Sequence, residues 1–398
     1  MRYSRWFHVL LSVTAMTVFS AGCEYEGPTA MYYQDHAQTL APQISQIEPD
    51  GEAGAGVNYI TIKGANFSET AENTQVYFNS YSAEIVDNSA TAITVRRPNI
   101  TSDSVVVKVV TDGALEIARY GPYRITPVYS AYGDFITGNR LSTMMADDQG
   151  NVFVFQSSPR TVFKINPDGT RITLPNETSR AVTDARIAPD GKLILMMNNR
   201  RIYQMDMQSG EESEWFDVTK SVASGDFDGN GNFYAGGRRS DLNVIAAGLA
   251  GKRALGQYSS DEIVWVRVHL DHVYILLAPR TPTPENPAMA IWRHPILDSS
   301  GNLGSGELML DWEETEVALY SPTSFTISGD GTLYVGVEVE DESAATLSPI
   351  LILNSDGSHD LLYKGILPSY AAKVSWAAGD YLYMLLGGDD WDLIRIEI

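Results

Sequence analysis

Cysteine occurs once in 398 residues, at position 23. Disulfide bonds and cysteine-based zinc sites are thereby excluded from the folded part of the chain, as is any cysteine nucleophile beyond that position. Histidine is scarce, with six copies, and 28 Lys and Arg face 50 Asp and Glu for a formal net charge of −22. Such a surface repels nucleic acid and anionic headgroups, so neither is an expected partner. It tolerates a neutral ligand, a cation or a basic protein surface, and it equally serves plain solubility. No Gly-x-Ser-x-Gly elbow is present, and with it goes the usual serine nucleophile of α/β-hydrolases. What is plentiful is apolar character: 44% hydrophobic residues over this length suffice for a sizeable core and suggest two domains.

The N-terminus reads as an export signal. Arg2 and Arg5 form a positive start, Trp6 to Phe19 an apolar stretch too short for a confident membrane span, and Phe19-Ser20-Ala21-Gly22-Cys23 a small-residue end. This segment resembles the lipobox of bacterial lipoproteins, which implies that Cys23 is lipidated and becomes residue one. Acyl chains contribute about 0.8 kcal/mol per buried methylene, so several of them make a stable anchor. Loss of Arg2 and Arg5 with the signal would take the charge to about −24. Glu24-Tyr25-Glu26 is similar to the surface-export signal of Bacteroidetes lipoproteins, and the rest of residues 23–41 reads as a tether.

Residues 42–128 carry short alternating runs, among them Tyr59-Ile60-Thr61-Ile62-Lys63 and Ala92-Ile93-Thr94-Val95, punctuated by Pro49-Asp50-Gly51, Gly64-Ala65-Asn66 and Asp112-Gly113. That pattern predicts a β-sandwich. The stretch resembles an IPT/TIG domain, an immunoglobulin-like fold. The likeness rests on Pro42-x-Ile44-x-x-Ile47-x-Pro49, on Ile60-x-Ile62-x-Gly64-x-Asn66-Phe67, and on Val105-x-Val107-x-Val109. Gly64 would permit a close backbone approach, Asn66 would bond the turn and Phe67 would plug the sandwich, all structural roles.

A repeat governs residues 129–398. The turns Asp148-Gln149-Gly150-Asn151, Pro189-Asp190-Gly191-Lys192, Asp228-Gly229-Asn230-Gly231, Leu270-Asp271-His272, Gly329-Asp330-Gly331-Thr332 and Ala378-Gly379-Asp380 each precede an apolar strand. The first four recur at a spacing of roughly 40 residues, the period of propeller blades. Six copies predict a six-bladed β-propeller in an all-β chain. The last copy has only three strands, so residues around Tyr129–Phe135 are expected to supply the fourth and close the ring, removing both open sheet edges. The repeats resemble NHL-type propellers. Lipobox, IPT/TIG domain and NHL-like propeller together look like lipoproteins found beside outer-membrane nutrient importers in Bacteroidetes, an architectural likeness that brings no site residues with it.

Asp226, Asp228 and Asn230, followed by Gly231, place oxygens at positions one, three and five of a calcium-type loop. Tyr234 and Gly237 stand where the ninth and twelfth ligands would be, so calcium would need ligands from elsewhere, and the same stretch reads as one more blade hairpin. His269 and His272 flank a turn; a metal would require a third ligand from His36, His294 or His359. Trp292, Trp312, Tyr381 and Trp391 could offer flat faces to sugar rings, or could pack between blades. Two departures from the repeat, Pro279–Pro287 and Glu338–Ser343, predict long loops on a rigid scaffold, where binding concentrates. No catalytic residue is assigned and no cofactor beyond calcium is expected. The reading is a surface lipoprotein that binds an extracellular ligand, a glycan, beside a SusC/SusD-type importer. A protein–protein scaffold and a propeller lyase or hydrolase are the alternatives.

Overall fold

The computed structural model describes residues 39–135, 140–339, 348–368, 370–377, 379, 381–387 and 392–398. The expected anchor Cys23, His36, Trp391 and most of the 338–343 loop lie outside the described residues.

Two sheets face each other across the first part of the chain. One orders Gln43–Glu48, Tyr59–Ala65, Ala92–Arg96 and Ile85–Asn88; the other orders Glu52–Ala53, Ala118–Ile125, Ser102–Thr111, Thr74–Phe78 and Tyr81–Ala83. The run at 104–110 looks continuously apolar in sequence but alternates in space. Val105, Val107 and Val109 are fully buried, whereas Val106 is 37% exposed, as the period-two geometry of a strand demands. Gly64 sits where a β-carbon would lie 1.8 Å from the Gln43 carbonyl oxygen. Asn66 adopts a left-handed φ of 61° and donates from Nδ2 to the Ala41 carbonyl at 3.0 Å. Phe67, buried beside Ile47, Ile60 and Phe78, fills the space between the sheets.

From residue 129 on, the chain forms six four-stranded antiparallel sheets. Their innermost strands are Arg140–Ala146, Asp184–Ile187, Ser224–Phe227, Glu262–His269, Ser321–Ile327 and Ala371–Ala377, which begin blades one to six. In blade six the fourth strand is Tyr129–Ala131, paired with Leu393–Glu397. The ring is thus closed by joining the start of the propeller to its end. All-apolar second strands such as Leu193–Met196, completely buried, form the core between blades. The immunoglobulin-like sandwich followed by a six-bladed propeller, expected from the repeats, is the fold observed.

The sandwich docks on the junction of blades five and six. Tyr363, 2% exposed, accepts from the Gly56 amide at 2.6 Å and donates its hydroxyl to the Glu397 carbonyl at 2.7 Å. Its own amide donates to Asn58 at 3.2 Å, and Asn99 donates to the Gly365 carbonyl at 2.7 Å. Tyr59 and Arg96 both engage Asp360. Replacing Tyr363 by phenylalanine leaves the Gly56 amide and the Glu397 carbonyl without this partner. We expect a loss of about 1–3 kcal/mol, read as a lower thermal midpoint for the full chain.

Candidate functional site

Innermost strands of a propeller have a free edge toward the centre, and its amides need acceptors. Here neighbouring blades supply them. Ser224 Oγ accepts from the Val266 amide at 3.0 Å, Asp226 from Val268 at 3.0 Å, Ser324 Oγ from Val374 at 3.1 Å, Thr326 Oγ1 from Trp376 at 2.9 Å and Ser375 Oγ from Ala146 at 2.9 Å. One or two short polar side chains on the innermost strands of blades three, five and six thus stitch each of those blades to the next.

Charges fill the same inner layer between blades two, three, four and six. Arg267, 6% exposed, grips the fully buried Asp184 through two contacts, Nη1 to Oδ2 at 2.9 Å and Nη2 to Oδ1 at 3.2 Å. Ser224 donates its hydroxyl to Asp184 at 2.7 Å, and Arg186 reaches Asp226 at 3.1 Å. Trp265 lies between two cations, with Arg267 4.5 Å and Lys373 4.1 Å from its ring centroid. Burial pushes the Asp184 and Asp226 carboxyls up, against the pull of Arg186. Burial likewise pulls the Lys373 ammonium down to about 8, opposed by Asp184. These groups are engaged with one another, and the layer reads as a polar plug that fixes blade register.

The depressed lysine has a measurable consequence. Between pH 8 and its ordinary value of 10.5 the unfolded chain binds more proton than the folded one, so stability rises with pH across that window. Relative to Lys373→Met, the wild type should gain about 1–2 kcal/mol from pH 8 to 10 in denaturant titrations.

The sequence-predicted candidates do not converge. Asp226 lies in an extended strand and turns to Arg186 and the Val268 amide. Asp228 instead closes its own hairpin, accepting from the Asn230 and Asn232 amides at 2.9 and 2.8 Å and from the Tyr234 hydroxyl at 3.1 Å. Asn230 contributes its amide to that turn. Asp147 performs the same hairpin closure in blade one, so the calcium-like pattern is turn chemistry here. Among the described residues, no group of three or more His, Cys, Asp or Glu stands placed to hold a metal ion. His272 pairs with Asp271 at 2.7 Å, His294 is fully buried between Tyr258 and the Gly304 carbonyl, and burial lowers the His269 and His294 pKa values.

Nor do the three described aromatics meet: they belong to three separate clusters. Trp312 is 3% exposed and donates its indole N–H to the Tyr320 carbonyl at 2.8 Å. Trp292 packs half-buried against a cluster that includes Tyr258 and Ile275. Half-buried Tyr381 carries the Arg395 guanidinium 4.6 Å from its ring centroid.

A solvent-open cleft of about 240 Å³ opens elsewhere, at the junction of blades three and four, lined by Arg238, Arg239, Ser260, Asp261, Glu262 and Arg280 together with Ala278 and Pro279. In an antiparallel meander the connections alternate ends. The Arg238-Arg239 turn, the entry to Glu262 and the loop after Ala278 therefore share one face. Pro279 is buried, and Thr283 and Asn286 exchange two 2.9 Å backbone hydrogen bonds, so the proline-rich loop is ordered. Sequence reasoning singled out that loop and missed the arginines; Arg239 and Arg280 lie one blade period apart, which is the signal that could have joined them.

Comparison with known proteins places these features in context. Residues 42–127 match the model of the IPT/TIG domain. No curated protein matches the chain. Among solved structures, an auxiliary nutrient binding protein from Bacteroides thetaiotaomicron is similar with a TM-score of 0.53 and 11% identity, covering 89% of this chain and 97% of that one. A luciferin-regenerating enzyme is similar with a TM-score of 0.52 and 14% identity, covering 68% of this chain and 95% of that one. At such identities the likeness shows the fold.

Proposed function

We propose that the chain is a lipid-anchored, cell-surface accessory protein of nutrient uptake that binds an extracellular glycan on the loop face of its propeller, beside a SusC/SusD-type importer. The observation that carries this reading is the open cleft at the junction of blades three and four, on a scaffold whose inner layer is engaged in its own ion pairs. Rigid sheets hold such loops at fixed separations, so recognition there loses little ordering entropy. The auxiliary nutrient binding protein whose fold matches 89% of this chain supports an accessory binding role. The lipobox-like end at Cys23 supports an anchor, and no helix among the described residues is long and apolar enough to cross a membrane.

Two measurements test the reading. Radiolabelled palmitate should enter the wild type and not Cys23→Ala, and protease added to intact cells should digest the wild type. Calorimetry of the soluble chain against a panel of neutral and acidic polysaccharides should find at least one that binds, without turnover. A chain that ignores the whole panel would be a scaffold, and one that shortens a polymer would be an enzyme.

A further inference from the structure

We propose that Arg238, Arg239 and Arg280 form an oxyanion-recognition site, taking a carboxylate or sulfate group carried on a sugar-sized ring. The inference rests on the surface-binding reading above for the carbohydrate, and on the cleft itself for the charge.

Arginines in an acidic protein are expected to pair. Arg96, Arg124, Arg186, Arg200, Arg201, Arg267 and Arg293 do so within 4.0 Å of a carboxylate; among the described residues others, such as Arg119, Arg160, Arg180 and Arg253, have no carboxylate in reach. Among the described residues, Arg238, Arg239 and Arg280 make no such pair, although Asp261 and Glu262 line the same cleft. Asp261 Oδ1 instead accepts from the Arg280 amide at 3.0 Å and from the Ser260 hydroxyl at 3.2 Å. It thereby fixes the loop that carries the third guanidinium. Three cations against two anions give a local formal charge of +1 on a chain of −22. Screening over about 8 Å at physiological salt leaves an approaching anion to respond mainly to this local set.

The turn that presents two of these arginines is built against its own preferences. Gly237 pairs with Ser240, so Arg238 and Arg239 are the whole of a two-residue hairpin loop. Such loops favour Asn and Gly, because their central residues need positive φ. Arg239 nevertheless sits at φ 53°, held by its amide donating to the Asp261 carbonyl at 2.8 Å. That bond fixes the direction in which the turn carries the Arg239 side chain away from the sheet. Beneath it, a β-carbon on Gly237 would lie 2.4 Å from the Ser221 carbonyl oxygen, so the hairpin is pressed onto the body of the propeller.

Guanidinium groups suit planar and tetrahedral oxyanions through paired N–H donors. At about 240 Å³ the cleft lies below the roughly 300–1,000 Å³ of drug-sized pockets, which fits one charged ring rather than a buried oligomer. Uronates and sulfated sugars share this chemistry.

The test is calorimetry of the soluble full-length chain against polygalacturonate, dextran sulfate and uncharged dextran. The wild type should bind at least one charged polymer and not dextran, and more weakly as salt is raised; the polymer preferred distinguishes carboxylate from sulfate. The variant R238Q/R239Q/R280Q should lose about a hundredfold in affinity while melting as the wild type does. The charge-matched variant R119Q/R180Q/K220Q, altered at exposed positions elsewhere, should bind as before. The proposal is overturned if neither charged polymer binds better than dextran, or if the two triple variants weaken binding alike. If a panel polysaccharide binds the cleft-neutralised variant at full strength, the anionic site falls while the accessory-binding reading stands.

Discussion

Arg267→Ala is expected to destabilise the propeller by about 3–5 kcal/mol, because removing one member of a buried ion pair strands the other. The carboxylate left behind is Asp184, fully buried and held by both Arg267 Nη atoms. Ser224 and Arg186 remain nearby, so the loss should stop short of unfolding the chain. Asp184→Ala should cost a similar amount by stranding the guanidinium against Trp265. The double variant should lose much less than the sum, since it removes the mismatch along with the pair. Urea unfolding of the four proteins measures this. A loss below about 1 kcal/mol for either single variant would mean that water screens the pair as at a surface.

The second large effect is expected at the sandwich turn. Gly64→Ala puts a carbon 1.8 Å from the Gln43 carbonyl oxygen and 2.5 Å from the Phe67 ring. The nearest atom belongs to a paired strand, which can yield only by breaking its ladder, so we expect a cost of about 3–5 kcal/mol. The readout can be local, because none of the seven tryptophans falls within residues 42–128. Tryptophan fluorescence then follows the propeller, and hydrogen exchange of the amides in strands 59–65 and 92–96 follows the sandwich. In Gly64→Ala the sandwich amides should lose protection under conditions that leave the tryptophan signal of the propeller unchanged.

The two effects mark what sequence could and could not reveal. Turn chemistry is local, so Gly64, Asn66 and Phe67 were legible as a close approach, a bonded turn and a plug. So were the hairpins that punctuate each blade and the strand from Tyr129 that closes the ring. The inner layer and the cleft were not, because their members are far apart in the chain: Asp184, Ser224 and Arg267 meet only when three blades stand side by side. The Asp226-x-Asp228-x-Asn230 pattern misled for a related reason. A calcium loop must wrap its oxygens around one point, whereas here an extended strand carries the first aspartate inward and a tight hairpin folds the second back on itself. Trp312 misled because burial of an aromatic depends on the loops above it. Reading charges in register with the repeat, rather than along the chain, would have aligned Asp184 with Ser224 and Arg239 with Arg280.

Recognition on the loop face, with the centre of the ring reserved for holding the blades together, is the claim on which the rest depends. Hydrogen exchange of the soluble chain with and without a saturating concentration of the preferred charged polymer, polygalacturonate or dextran sulfate, tests it most directly. Slower exchange is predicted at 238–241, 260–262 and 279–286, with the innermost strands 184–187, 224–227 and 264–268 unchanged. Protection centred on those innermost strands, or none on the loops, would contradict it.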